Sequence, residues 1–273
     1  MKEEDISPNL KQTGTGTLHG VVLVAALFVS LSVEALASSP VSRCADCHFA
    51  NPGSTSLWHL SDWENSAHGR KNVGCEGCHG GDPTTFDSFA AHKDMAKRAQ
   101  FGSPVHRMNL PKTCGSCHPG PFQAFQQSKH YELLREGDRD VPTCTTCHGN
   151  AGSYLPSPKA LASECSRCHG AGKIAPNTDR PAEGKLNLVR VREIRRSLDE
   201  SQGQIRKLKA GAQRRALEAE LSEARGSLRD AVQSAHMFVF DEMHARLSTA
   251  ATRADLLREG SMALASKPTT PKK

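Results

Sequence analysis

Aromatic side chains are scarce in this chain. Two tryptophans, two tyrosines and nine phenylalanines are spread over 273 residues, and apolar residues make up only 37%. A domain that fills its interior with side chains carries more of both. This shortage excludes an ordinary side-chain core through the whole length. Cysteine outside one repeated pattern is also missing, so no separate disulfide framework is available. The formal net charge is only +6, which gives no case for a nucleic-acid partner.

A membrane-spanning apolar stretch is lacking as well. The run at residues 21–33, VVLVAALFVSLSV, is 13 residues long, too short for a comfortable span and suited to a signal-peptide core. Ala-Leu-Ala at 35–37 supplies a small-x-small cleavage site, which predicts cleavage after Ala37 and export to the periplasm. Glu3, Glu4 and Asp5 outnumber Lys2 and Lys11 ahead of the run, against the usual signal pattern. The alternative is an uncleaved anchor, and only then would the protein touch a membrane.

What is present is one motif, five times. Cys44-Ala-Asp-Cys47-His48, Cys75-Glu-Gly-Cys78-His79, Cys114-Gly-Ser-Cys117-His118, Cys144-Thr-Thr-Cys147-His148 and Cys165-Ser-Arg-Cys168-His169 use all ten cysteines. Disulfides do not require a histidine after the second cysteine. Zinc sites of four thiolates would take the pairs two at a time, and five is odd. Covalent attachment of haem c needs this very string. Two cysteines three positions apart reach the two vinyl carbons on one porphyrin edge, and the next residue lies under the ring with its imidazole toward the iron. By composition, the chance that all five pairs carry a histidine next is roughly one in several million. The cofactor expectation is five covalently bound haems c, with His48, His79, His118, His148 and His169 as proximal iron ligands.

Five macrocycles in residues 38–182 leave too little chain to wrap each one separately. The haems therefore pack on one another, with loops and short helices threaded between them. Gly and Pro are frequent in CHGGDPTT, CHPGPF and YLPSPKA, as connections require. The fold expected is mostly α with extensive loop, organised around packed haems.

Eight histidines lie outside the strings, and His19 falls in the signal region. His59, His68, His92, His106, His130, His236 and His244 then compete for five distal positions. Trp63-Glu-Asn-Ser66-Ala-His68 and Phe125-Gln-Gln-Ser128-Lys-His130 share the frame aromatic-x-x-Ser-x-His. Each lies between one haem string and the next, and the later string ends in His-Gly. This degenerate repeat covers 44–80 and 114–149. The frame reads as a short helix whose histidine reaches across to a haem, and it leaves the serine without a strict role.

The spacing of WENSAHGRKNVGCEGCHGGD, of Ala-Ala-His at 90–92 and of FQQSKHYE resembles exported multihaem cytochromes of the hydroxylamine-oxidoreductase type, including their smaller tetrahaem electron-carrier relatives. The resemblance covers roughly residues 43–170, with a looser match in the C-terminal helices. It implies distal ligation by His68, His92 and His130 and stacked haem pairs that conduct electrons. Five strings are fewer than the oxidoreductase itself carries. Cys-x-x-Cys-Lys, the mark of the lysine-ligated haem in related nitrite reductases, does not occur. The resemblance therefore implies electron transfer more than catalysis.

Beyond residue 182 the composition turns to Ala, Leu, Glu, Arg and Gln. Val191, Ile194, Leu198, Ile205 and Leu208 keep a 3-4 spacing broken only by Ser201. Leu217, Leu221, Ala224, Leu228, Ala231, Ala235 and Phe238 continue it, and Gly211 suits a helix stop. The spacing predicts an antiparallel hairpin in residues 183–265, with helices over 184–210 and 213–258 and a disordered tail at 266–273. From Phe240 the stripe reads Met243, Leu247, Ala250, Ala254 and Leu257, shifted by one residue. His236 sits at that shift, where a helix laid across a haem would send it to the iron, and the resemblance also implies a ligand histidine on these helices. His59, His106 and His244 are weaker distal candidates.

Two propionates on each haem offset the basic excess. Histidine instead of methionine as the distal ligand predicts low potentials, suited to anaerobic respiration. The leading reading is a periplasmic electron carrier between redox partner proteins, with the C-terminal helices available for a homo-oligomer. The rival is an oxidoreductase with one open haem acting on a small nitrogen or sulfur compound. A membrane-anchored quinol-oxidising subunit is a third possibility.

Overall fold

The computed structural model describes residues 42–265, apart from 52, 54, 55, 152 and 153. The expected signal segment and the tail at 266–273 lie outside the described residues. All described residues fall in one compact unit that begins at Ser39.

The haem-string half is built of short helices: α1 (Arg43–Ala50), α2 (Leu57–Glu64), α3 (Ala67–Arg70), α4 (Glu76–His79), α5 (Ser88–Ala91), α6 (Leu110–Gly115), α7 (Pro119–Gln126), α8 (Lys129–Arg135), α9 (Cys144–His148) and α10 (Pro158–Cys165). Among the described residues there is no strand, only an isolated bridge between His169 and Ala175 that closes the loop after the fifth string. The helices start where local chemistry starts them. The hydroxyls of Ser66, Ser128 and Ser157 and the carboxylate of Asp87 each accept the backbone N–H three residues on. Gly80 and Gly149 follow the second and fourth strings, both with φ near +76°. This left-handed conformation lets the chain leave the haem helix at once, and only glycine adopts it without strain.

Side-chain packing in this half is thin. Among its described residues, one buried apolar cluster forms from Phe125, Leu134 and Val141, with Met108, Tyr131, Leu133 and Phe238 against it. Apart from Ala45, Leu60 and Ala124, the rest of the described apolar core lies in three long helices, α11 (Arg180–Lys207), α12 (Ala212–Ser234) and α13 (Phe240–Ala265). Pro181 opens α11, where its missing N–H costs nothing.

The expected hairpin is present in α11 and α12, but its second arm is shorter than the spacing suggested. The chain stops at Ser234, takes a 3-10 turn over Ala235–Met237 and passes through Phe238 at φ 58°, ψ 24° before α13 begins. The one-residue shift in the stripe is the physical reason. A shift of one position turns an apolar face by about 100°, so a single straight helix could not hold both stripes against one partner. A bend resolves this, and the left-handed Phe238 costs about 1–2 kcal/mol.

α13 then folds back along α12 as a third helix: a Cβ placed on Gly260 would lie 3.9 Å from a Leu217 methyl carbon, and the Arg253 guanidinium is 3.9 Å from the Glu223 carboxylate. It runs parallel to α11, with Arg180 over the Phe240 ring at 5.3 Å and the Arg190 guanidinium donating to His244 Nε2 at 2.7 Å. The predicted stripes are the buried ones. Ser201, the polar break, is fully buried and donates to the Ser197 carbonyl at 2.9 Å. Gly211 departs from expectation: its φ of 169° is extended backbone, and it caps the start of α12 rather than stopping α11.

Candidate haem sites

Each string occupies about one helical turn. The histidine N–H bonds to the carbonyl of the first cysteine at 2.9 Å in the second, third and fifth strings. The first and fourth strings lie wholly within α1 and α9. Residues three and four apart share a helix face, so both sulfurs and the imidazole emerge on one side. None of the ten cysteines is disulfide-bonded.

The sulfurs influence one another in chain order. Burial, and then Cys44 next to it, pushes the Cys75 thiol up to about 11. Cys78 is raised by burial, then by Cys114 and Cys117. Cys114 donates a hydrogen bond to the Cys144 sulfur, which raises the pKa of the first and lowers that of the second. Cys147 is pushed to about 11 by burial and then by Cys165. Strings one to five are therefore neighbours in sequence, each close enough to the next for their thiols to influence one another.

Each string histidine faces one other imidazole. Ring centres lie 5.9 Å apart for His48 and His92, 5.9 Å for His79 and His59, and 6.0 Å for His118 and His68. The separations are 6.1 Å for His148 and His236 and 6.0 Å for His169 and His130. Two metal–nitrogen bonds of about 2 Å, each with about 1.1 Å from nitrogen to ring centre, span about 6 Å. The five pairs thus have the spacing of two axial ligands with an iron between them. Among the described residues no three His, Cys, Asp or Glu side chains converge. Pairs suit a porphyrin iron, whose ring supplies the other four bonds; a lone tetrahedral ion needs more.

Protonation and tautomer agree with that role. His48, His79, His130, His169 and His236 are all held below the usual imidazole value, in each case first by burial. The shift takes His130 down to about 4, with His169 as the second cause. These rings are neutral at pH 7, as metal ligands must be. Nδ1 donates to the Ser88 carbonyl in His92 (2.7 Å), to Ala151 in His68 (2.7 Å), to Tyr154 in His148 (3.0 Å) and to Gln233 in His236 (3.1 Å). Each such bond leaves Nε2 as the free ligand atom. His130 Nδ1 and His169 Nδ1 are buried without a hydrogen-bond partner.

The sequence-ranked candidates sort as follows. His68, His92, His130 and His236 all face a string histidine, and so does His59, which local spacing had ranked lower. His106 and His244 face none: His106 Nδ1 accepts from the Met108 N–H, and His244 is taken by Arg190. The serine of the repeated frame has a role that its spacing could have shown. Ser66 and Ser128 are N-caps, so the frame spans the break between two helices rather than one helix, and the histidine is the second residue of the new one. In both copies the serine N–H bonds to the aromatic residue's carbonyl, at 3.0 Å in Trp63 and 2.9 Å in Phe125. Both frame histidines skip the string that follows them and face the one after: His68 meets the third string and His130 the fifth.

Several of the exposed apolar side chains lie next to the paired histidines and the strings. Phe49 follows His48, Phe86 and Phe89 precede His92, Trp58 precedes His59, and Tyr154 follows the fourth string. A flat apolar macrocycle fits such surroundings.

Residues 99–170 match the family model described as cytochrome c7 and related cytochrome c. Residues 30–80 match that described as cytochrome c554 and c-prime. No curated protein and no solved structure matches the chain. The two matches support a multihaem c-type cytochrome that carries electrons through covalently bound haem c.

Proposed function

We propose that the chain holds five haems c, all six-coordinate through two histidines, and relays single electrons between redox partner proteins in the periplasm. One observation carries this reading: the five imidazole pairs near 6 Å. The axial sets are His48 with His92, His79 with His59, His118 with His68, His148 with His236, and His169 with His130. The haems supply reversible one-electron chemistry, while the protein sets their ligands, spacing and exposure. Because the sulfurs adjoin in chain order, the relay runs from the haem at Cys44 and Cys47 to the haem at Cys165 and Cys168.

Bis-histidine ligation favours low potentials and leaves no iron open to substrate. That supports a small carrier of the hydroxylamine-oxidoreductase type over an enzyme of that type. Export rests on the apolar run at 21–33 and the Ala-Leu-Ala site. No helix of the described residues is long and apolar enough to cross a membrane.

Carbon monoxide gives the direct test. The reduced wild-type protein should bind none, whereas His59→Ala should bind one equivalent, at the haem of Cys75 and Cys78. Stoichiometric binding by the wild type would instead point to the enzyme reading. Mass spectrometry of matured protein should show five added haems and a chain starting at residue 38.

Ring orientation makes a second prediction. His148 and His236 are nearly parallel, at 19°, whereas the other pairs cross at 54–80°. Parallel axial planes split the iron orbitals most. Low-temperature electron paramagnetic resonance (EPR) of the oxidised protein should show one ordinary rhombic low-spin signal from this haem, with broad large-g signals from the others. Five identical rhombic signals would contradict the geometry.

A further inference from the structure

Phe238 has the one strained conformation that joins two haem sites. Its φ of 58° places a bulky side chain in the left-handed region, which glycine would occupy freely. Its ring contacts suggest why a phenylalanine stands there. The ring lies 4.6 Å from the His130 imidazole, edge to face at 84°, and 6.4 Å from Phe125 at 72°. It also packs on the small cluster of Phe125, Leu134 and Val141. Two residues earlier, on the same turn, His236 faces His148.

His68, His92 and His236 are oriented by Nδ1 bonds to backbone carbonyls. His130 Nδ1 has no such partner. A ring without a second hydrogen bond must take its orientation from packing, and the Phe238 ring is the nearest aromatic neighbour it has. Meanwhile the left-handed Phe238 closes the 3-10 turn that carries His236, its N–H bonding to the Ala235 carbonyl.

We propose that Phe238 is a positioning residue that sets the distal ligands of two neighbouring haems at once, His130 by ring contact and His236 through the turn. This rests on the assignment of both histidines as iron ligands. One side chain would then tune the last two haems of the relay together.

The test uses the matured full-length protein. Phe238→Leu keeps apolar bulk without the ring, Phe238→Gly relaxes the turn and removes the side chain, and Phe238→Tyr retains the ring. His130→Ala, His236→Ala and the distant exposed Leu256→Ala serve as references. The expected result is that the Leu and Gly variants move the rhombic signal and one large-g signal in EPR. Their carbon monoxide uptake should rise from none to between one and two equivalents, while Tyr and Leu256→Ala match wild type. If His130→Ala and His236→Ala each take up one equivalent but the Leu and Gly variants keep wild-type spectra, the proposal is overturned, even with a lowered melting temperature. If His130→Ala and His236→Ala take up none, the ligand assignment itself fails and the proposal fails with it.

Discussion

With all ten cysteines changed to serine, so that no haem can be attached, residues 42–170 are expected to lose their fold while α11–α13 stay helical. Ordering a residue costs about 1–2 kcal/mol in backbone entropy, and a fully buried large apolar side chain returns about 1.5–3 kcal/mol. The haem-string half has one cluster with three buried members, far too few for its length. Its large apolar groups such as Trp58 and Phe89 stand 87% and 84% exposed on the polypeptide alone. The helical half has the continuous core that runs from Val191 to Leu257. Limited proteolysis should therefore leave a fragment beginning near Asp179, and circular dichroism should show the helix content of three long helices. A serine variant with protease-resistant residues 42–170 would mean that side chains, not porphyrins, hold that half together.

Leu247→Ala should cost about 2–5 kcal/mol, among the largest effects of any single truncation in the bundle. Leu247 is fully buried two turns into α13, in the core that all three helices share. The cavity left behind cannot collapse easily, because the small Ala250 and Ala254 next along the stripe already bring the helices close. Leu256, on the same helix but 65% exposed, should change stability by less than about 0.5 kcal/mol when made alanine. Chemical denaturation followed by far-ultraviolet circular dichroism compares the two. Equal midpoints would show that α13 is not packed as a third helix. Since the turn before α13 carries His236, the Leu247 variant should also lose the rhombic haem signal at lower denaturant than the wild type.

Much of this was legible in the chain. The thioether strings could be read because their chemistry is local, with two sulfurs and an imidazole gathered in about one helical turn. The stripes of α11 and α12 were visible for the same reason, since a helical period is a property of neighbours. The one-residue shift near Phe238 was visible too, but not its result. Whether a slip bends a helix or folds it back depends on what waits to be covered, here the face between α11 and α12. The serines of the repeated frame are readable as helix caps, but the frame's even spacing reads as one helix and hides the break between two.

Sequence alone determined which residues can take haem, how many strings there are and where the apolar helices lie, because each depends on spacing within a few residues. Only the tertiary structure decided that His59 and not His106 faces a string histidine, that His236 meets His148 from the far end of the chain, and that the strings adjoin in order. An axial pair is made by two imidazoles about 6 Å apart in space, and separation along the chain says nothing about that distance.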